Sequence, residues 1–390
     1  MVPTTGPHPA HAGFVHDAAA TRVVFAPGAL ARVPEEVDRL GAGRVLLISG
    51  GPESRYADRL AADLGGRVAG RVREVVMHVP VETARAAVTA AAAVDADLLV
   101  SVGGGSATGL AKAVARETGR PVLAVPTTYA GSEMTPIWGL TEAHRKTTGR
   151  DRRVLPRVVV YDPELTVSLP GPVSAASGLN ALAHCVEGRY AADASPVTWL
   201  LAEEGIRALT SALPRVVADG TDRPARAEAL YGAWLAGWTL GTAGMGIHHK
   251  LCHVLGGGYD LPHAELHAVI LPYAVAYNAT AAAPALARVA AALAGPAAEP
   301  PRAEPPRAEP PRAVSAPAGS AAAGRLWDLG RKLGVPASLR ELGFRPEAVD
   351  PVAEQVVAGT PANPRPVEID GIRELLRAAW DGQRPAAGGG

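Results

Sequence analysis

The chain is short of several things, and each shortage narrows what it can be. Of its 390 residues only two are cysteines, Cys185 and Cys252. Two cannot build a disulfide framework, and a reducing compartment is the natural setting. Charge of neither sign is in excess, because Lys plus Arg and Asp plus Glu each number 38. No basic surplus therefore points to nucleic acid or to an anionic membrane surface. There is no uninterrupted apolar run of about 18 residues, so no transmembrane helix is expected. Residues 1–13 are rich in Pro, His and Ala and lack the charged start and apolar run of a signal peptide. Together these absences imply a soluble, cytoplasmic protein.

What is present is ample apolar material. Hydrophobic residues make up 48% of the chain, more over this length than one core usually holds, so two domains are expected. From residue 44 to about 125, short apolar runs alternate with helical stretches. Strands are expected at 44–49, 72–77, 97–102 and 121–126, and helices at 54–64, 81–94 and 106–117. This alternation predicts a parallel sheet with right-handed crossovers, and continuous Val/Leu runs fit strands covered on both faces. Residues 127–153 are Gly- and Thr-rich with a two-stranded character, and 156–162 reads as one more strand. Beyond about 174 the pattern is helical, at 174–191, 196–218, 223–242, 245–256 and 265–278, with a last amphipathic helix at 369–380. The boundary is placed at Pro170-Gly171-Pro172. The expected organisation is a Rossmann-like α/β dinucleotide-binding domain over 14–170 and an all-α catalytic domain over 171–382. Tails at 1–13 and 383–390 are expected to be disordered. Residues 297–318 carry the repeat PPRAEPPRAEPPRA, which cannot bury an apolar face and reads as an inert surface insertion.

Two constellations carry chemistry. Strand 98–102 runs into Gly103-Gly104-Gly105-Ser106 and then into a helix. Glycines there admit a ligand close to the backbone, and the helix start favours a pyrophosphate. The spacing is not the G-x-G-x-x-G of the common dinucleotide motif, and glycines after a strand also make plain turns. Thr127 and Thr128 follow the next strand end, on the same edge of the sheet, where hydroxyls can reach a diphosphate or a nicotinamide. The first strand ends in Ser49-Gly50-Gly51 with no carboxylate before Glu53, which predicts weak discrimination between NADH and NADPH.

The second constellation is histidine. Six of the eleven histidines lie between His184 and His267. Asn180 and His184 share a helix face at i, i+4 spacing, as do His249 and His253, and His263 and His267 follow a Gly-rich turn. Imidazoles paired in this way suit a divalent metal site or a proton relay, although a single histidine on an apolar helix is more often a core residue.

GGGSATGLAKA, PTTYAGSEMTPIWGLTE, SGLNALAHCVEGRYA, HHKLCHVLGGGYDLPHAELHAVILPY and NPRPV, in this order, resemble the iron-containing alcohol dehydrogenase superfamily. Its maleylacetate reductase branch is the most similar, through HVPVE, PTTYAGSE and SGLNALAH. The resemblance spans nearly the whole chain apart from the tails and the repeat. It implies the dehydroquinate synthase-like, iron-containing alcohol dehydrogenase fold, a nicotinamide coenzyme (NADH or NADPH), a small dicarboxylate substrate and a homodimer. It also implies a metal site of one Asp and three His, which fall here on Asn180, His184, His249 and His263. The carboxylate has become an amide, a poor ligand for Fe²⁺ or Zn²⁺, so the positions are read as vestigial and no metal is expected.

The implied reaction is reduction of the carbon–carbon double bond of maleylacetate to 3-oxoadipate in aromatic-compound degradation. His253 is the expected proton donor, with His249 and His184 stabilising an enolate. Gly103, Gly104, Gly105, Ser106, Thr127 and Thr128 are the expected coenzyme contacts. Lys250, Arg189, Arg145 and Lys146 are candidate partners for the substrate carboxylates, and Tyr129 and Tyr259 flank the site. Cys185 and Cys252 read as packing residues. Two other readings stay open: a metal-dependent alcohol dehydrogenase or aldehyde reductase of the same superfamily, and a non-catalytic nucleotide-binding member.

Overall fold

The computed structural model describes residues 14–143, 145–259, 261–295 and 318–385. The repeat at 297–317 and the tail segments 1–13 and 386–390 lie outside the described residues.

The first half of the chain supplies a sheet of six parallel strands. In chain order these are β1 (Arg22–Phe25), β2 (Val45–Ile48), β3 (Val68–Val72), β4 (Leu98–Gly103), β5 (Val122–Pro126) and, after an intervening hairpin, β8 (Val158–Tyr161). Across the sheet they run β1-β8-β5-β4-β2-β3. Helices α1 (Val33–Arg39) and α2 (Ser54–Leu64) pack on one face, where Leu47, Val100 and Val125 join their core. Helices α3 (Val81–Ala93) and α4 (Gly105–Thr118) cover the other, against Leu46, Ile48 and Leu99. Successive strand residues thus feed opposite cores, which is why these strands read as unbroken apolar runs. Strand order reverses between β2 and β4, and ligands of such sheets bind in the crevice at that point, beyond the strands' carboxyl ends.

One strand differs from expectation. The segment expected at 72–77 pairs instead at Val68–Val72, alongside β2. A Cβ at Gly70 would stand 3.1 Å from Leu46 and from Val94, so this edge strand lies tightly against its neighbours there. The apolar residues Val76 and Met77 leave the sheet and are exposed at its rim. Met77 there belongs to a cleft wall, not to a strand.

Between β5 and β8 the chain makes an antiparallel hairpin, β6 (Ile137–Glu142) and β7 (Arg145–Arg150). Its base is fixed by Lys112 on α4. This fully buried ammonium donates to the carbonyls of Ser132, Thr135 and Ile137 and to Thr135 Oγ1, at 2.5 to 3.0 Å. Burial lowers the pKa of Lys112 to about 7, with the buried Glu133 opposing.

The second half is helical: α5 (Gly171–Tyr190), α6 (Pro196–Ala218), α7 (Arg223–Thr242), α8 (Ile247–Tyr259), α9 (His263–Tyr277), α10 (Ala283–Leu293), α11 (Ala318–Lys332), α12 (Val349–Ala358) and α13 (Ile369–Asp381). Asp222 caps α7 and Ser195 caps α6, each through its side chain. The fully buried Arg226 of α7 ties the two halves, donating to Tyr129 Oη, Ser174 Oγ and the carbonyls of Leu169 and Gly220. Among the described residues no helix is long and apolar enough to cross a membrane.

Candidate active site

The glycine loop sits at the reversal point of the sheet. Gly103 ends β4 with φ 150°, a backbone that favours glycine, and a Cβ there would lie 2.9 Å from Ala107. A Cβ on Gly104 would lie 3.0 Å from Thr128 Cγ2, so the two strand-end loops touch. Gly104 caps α4 without a side-chain bond, leaving the first N–H groups of the helix to an incoming acceptor. The buried hydroxyls of Ser49, Ser101 and Thr127 have no protein partner. Hydroxyls without partners, glycines too crowded for a side chain and a bare helix start are what a dinucleotide's diphosphate and riboses require. The residues present therefore fit a nicotinamide coenzyme.

From Thr127 the loop continues to the histidines. A Cβ on Gly131 would come within 2.9 Å of Gly237 Cα on α7 and 3.6 Å of His184 Nδ1 on α5. His184 stacks on His249 of α8 with ring centroids 5.0 Å apart. His267 of α9 sits edge-on to His249 at 5.0 Å and to His263 at 4.4 Å. His253 is edge-on to His249 at 6.3 Å, one helical turn nearer the solvent. The predicted histidines thus come from three helices and form one contiguous cluster.

Glu187, on α5 and wholly buried, organises this cluster. Its Oε1 accepts the backbone N–H of His248 at 2.9 Å. Its Oε2 accepts the backbone N–H of His249 at 3.3 Å and pairs with His249 Nδ1 at 2.5 Å. A carboxylate only accepts, so Nδ1 carries the hydrogen and His249 Nε2 is left as a lone pair. That Nε2 is buried without a partner, as are His184 Nδ1 and Asn180 Oδ1. On the far side, His248 Nε2 donates to the carbonyl of His267 at 3.0 Å. Burial raises the pKa of Glu187, and the imidazole of His248 and the two backbone N–H groups oppose it. Burial likewise favours neutral imidazoles: His249 falls to about 3 and His248 to about 4, and His184 and His267 are also lowered, by desolvation first and neighbouring rings second, while His263 is lowered by desolvation first and the Lys146 charge second.

A cleft of about 280 Å³ opens beside the cluster. It is lined by Met77, His78 and Pro80, by Thr141 and Lys146 of the hairpin, and by Cys252, His253, Gly256, Tyr259 and His263 of the helical half. Of the candidate cations whose side chains are described, only Lys146 faces it. Arg189 is bound to Glu203 at 2.8 Å and lies over Trp199. The Lys250 ammonium rests near Gly359, at the C-terminal end of α12. The side chain of Arg145 lies outside the described residues. Tyr259 lines the cleft, whereas Tyr129 is wholly buried and engaged with Arg226. Cys185 is buried among apolar residues and Cys252 lies with its sulfur 3.7 Å from His248 Nε2. Sequence reasoning missed Glu187, His248 and Lys112. Glu187 carried a legible sign, since it stands three residues after His184 and so shares its helix face.

The positions Asn180, His184, His249 and His263 offer one amide oxygen and three imidazoles, with no carboxylate. That donor set brings no negative charge to a divalent ion and holds Fe²⁺ or Zn²⁺ less tightly than the same imidazoles with a carboxylate would. Two other groupings have ligand atoms close enough to share an ion: Glu187, His248 and His249, and His248, Cys252 and His267. In both, the ring nitrogens of His248 are already engaged, Nε2 with the carbonyl of His267 at 3.0 Å and Nδ1 with His249 Nδ1 at 3.3 Å.

Comparison with known proteins places these features. The model of the iron-containing alcohol dehydrogenases matches residues 20–163, and that of the C-terminal part of the same family matches 174–380. Maleylacetate reductase of Burkholderia cepacia is 49% identical over 96% of this chain and 99% of its own. The crystal structure of maleylacetate reductase from Rhizobium sp. strain MTP-10005 has a TM-score of 0.86 at 47% identity, covering 96% of this chain and 99% of that one. That of maleylacetate reductase from Agrobacterium tumefaciens gives 0.86 at 46% identity over the same shares. A 1,3-propanediol oxidoreductase shares the fold at 27% identity, with a TM-score of 0.83 over 94% of this chain and all of that one. With a parallel sheet that ends in a glycine loop, a helical half that gathers the histidines, and both family models matched across it, the chain belongs to the iron-containing alcohol dehydrogenase family.

Proposed function

We propose that the protein reduces the carbon–carbon double bond of maleylacetate to 3-oxoadipate with NADH or NADPH. The observation that carries this is Asn180, buried beside unpaired imidazoles where the family's carboxylate ligand would stand, in a chain 43–49% identical to proteins named maleylacetate reductase. A role in aromatic-compound degradation and a homodimer, which the family resemblance implies, are part of this reading.

When bound, the coenzyme supplies a hydride to the alkene carbon remote from the ketone. The remaining work falls to the chain. Gly103, Gly104, Gly105 and Ser106 cradle the diphosphate, and Thr127 and Thr128 orient the nicotinamide end. Charge gathers on the ketone oxygen as an enolate and needs hydrogen-bond donors fixed in place. His184 and the Asn180 amide group are suited to donate. His249 presents a lone pair and stabilises the enolate only as an imidazolium, with Glu187 behind it as counter-charge. His253 delivers the proton to carbon. Partial desolvation between the cleft walls, then Lys146 and Lys250, lower its pKa. A substrate with two carboxylates opposes that and favours the protonated ring. Its exposed position lets it recover a proton from water after each turnover. No step is assigned to a metal. A conjugate reduction tolerates that, because the enolate is delocalised and less basic than an alkoxide.

The test is loss of reduced-coenzyme absorbance with freshly prepared maleylacetate, with and without a strong chelator, beside a metal assay of wild type and Asn180→Asp. Turnover that survives the chelator, together with near-stoichiometric Zn²⁺ or Fe²⁺ in Asn180→Asp alone, is the expected pattern. Chelator-sensitive oxidation of simple alcohols would instead make this a metal-dependent alcohol dehydrogenase.

A further inference from the structure

The HVPVE segment does more than connect β3 to α3. His78 and Val79 have φ of 63° and 51°, successive left-handed residues of which neither is glycine. For a β-branched valine that conformation is strained, and such strain persists only where the surroundings impose it. Here they do. Val79 is buried against α4 at Gly109, where a Cβ would stand 2.9 Å from Val79 Cγ2. Thr141 of β6 donates its backbone N–H to the Val79 carbonyl at 3.1 Å and its hydroxyl to the His78 carbonyl at 2.9 Å.

The same Thr141 is the cross-strand partner of Lys146 on β7. The strained turn and the hairpin are therefore one assembly, and both of its basic side chains line the cleft. His78 meets the ring of His263 edge-on at 6.1 Å, and the Lys146 charge is felt at His253 and His263. The described lining contains three imidazoles and one ammonium and no carboxylate. A cleft wall of that kind attracts anions.

We infer that His78 and Lys146, both fixed through Thr141, form a two-point clamp for one carboxylate of the substrate and so set the enzyme's preference for dicarboxylates. The inference rests on the function proposed above for its substrate class. Strain at residues 78–79 then has a use: it aims an imidazole across the cleft from a rigid turn, so little entropy is lost when the anion binds.

Two variants test it. His78→Asn keeps a residue that accepts left-handed backbone, and Lys146→Met keeps the length of the side chain without its charge. Each should raise KM for maleylacetate by about tenfold or more while kcat changes by less than about threefold. Coenzyme affinity, read by fluorescence titration, should not move. Of the two monoesters of maleylacetate, the one lacking the clamped carboxylate should respond to neither variant. Equal sensitivity of both monoesters, or a fall in kcat at unchanged KM, would overturn the clamp. Calorimetric titration of 3-oxoadipate into the enzyme saturated with oxidised coenzyme separates the two claims. A loss of affinity of about tenfold in each variant supports the clamp even if maleylacetate is not turned over, a result that would sink only the proposed reaction. Unchanged affinity would refute the clamp whatever the activity.

Discussion

A single carboxylate decides what His249 can offer. Both oxygens of Glu187 are committed to N–H donors, so an amide in its place would set its NH₂ against a backbone N–H. Glu187→Gln should therefore release the ring of His249 and lower kcat by about tenfold or more, with a smaller change in KM. Steady-state kinetics with the unfolding transition followed in parallel would check this. A variant as active as wild type would show that the orientation of His249 is immaterial. At this scale the sequence was informative where helical spacing applies. Asn180 with His184, and His249 with His253, lie as i, i+4 pairs on their helices, and the rings of the second pair meet edge-on. Spacing is silent on tautomers and on burial. It could not show that His249 presents a lone pair, nor that Arg189 is spent on Glu203 and Lys250 lies away at Gly359.

Between elements, one close approach beside the site is backbone to backbone. A Cβ on Gly237 of α7 would lie 2.6 Å from the carbonyl oxygen of Gly131. That contact holds the loop carrying Thr127 and Thr128 beside His184. Gly237→Ala should push the loop outward, costing about 1–3 kcal/mol of stability and weakening coenzyme binding. Urea unfolding and NADH titration would measure both, and an alanine variant with wild-type values would mean that the loop yields freely. Helices α6 and α7 begin and end where their sequence predicts, because proline near the N-terminus and side-chain caps mark their starts. Strand β3 was misplaced for the opposite reason. Val75, Val76 and Met77 are as apolar as a strand but lie off the sheet, with Met77 on the cleft wall, and one-dimensional hydrophobicity does not distinguish the two. The close approach of Gly131 and Gly237 was not legible either, since glycines far apart in sequence give no sign that they meet.

For the molecule as a whole, the order of strands matters most to the chemistry. Reversal between β2 and β4 puts the coenzyme crevice beside Ser49 and Gly50, with Gly103 and Gly104 opposite. Glu53, in the turn after β2, folds back so that its carboxylate lies 3.4 Å from where a Gly51 side chain would begin. A carboxylate held at the crevice edge and not at the strand end should discriminate weakly against a 2′-phosphate. The preference for NADH over NADPH is therefore expected to be well under about a thousandfold, and Glu53→Gln should shift it toward NADPH. Kinetics with each coenzyme would decide, and a stricter preference would place another residue against the ribose. The alternation of strands and helices made the α/β half readable, and the loss of that alternation near residue 170 made the helical half readable. Which loops of the two halves face each other was not in the pattern, because a cleft between them joins Met77 and His78 with Thr141 and Lys146 and with His253, Tyr259 and His263.

The amide at Asn180 has one more consequence, for descent. Asparagine and aspartate codons differ by a single base, and the two side chains have nearly the same shape. The imidazoles of His184 and His249 stand with unpaired nitrogens beside it. Under the function proposed above, a metal-using oxidoreductase and a metal-independent reductase of conjugated ketones lie one nucleotide apart on this scaffold, and passage between them need not disturb the fold in either direction.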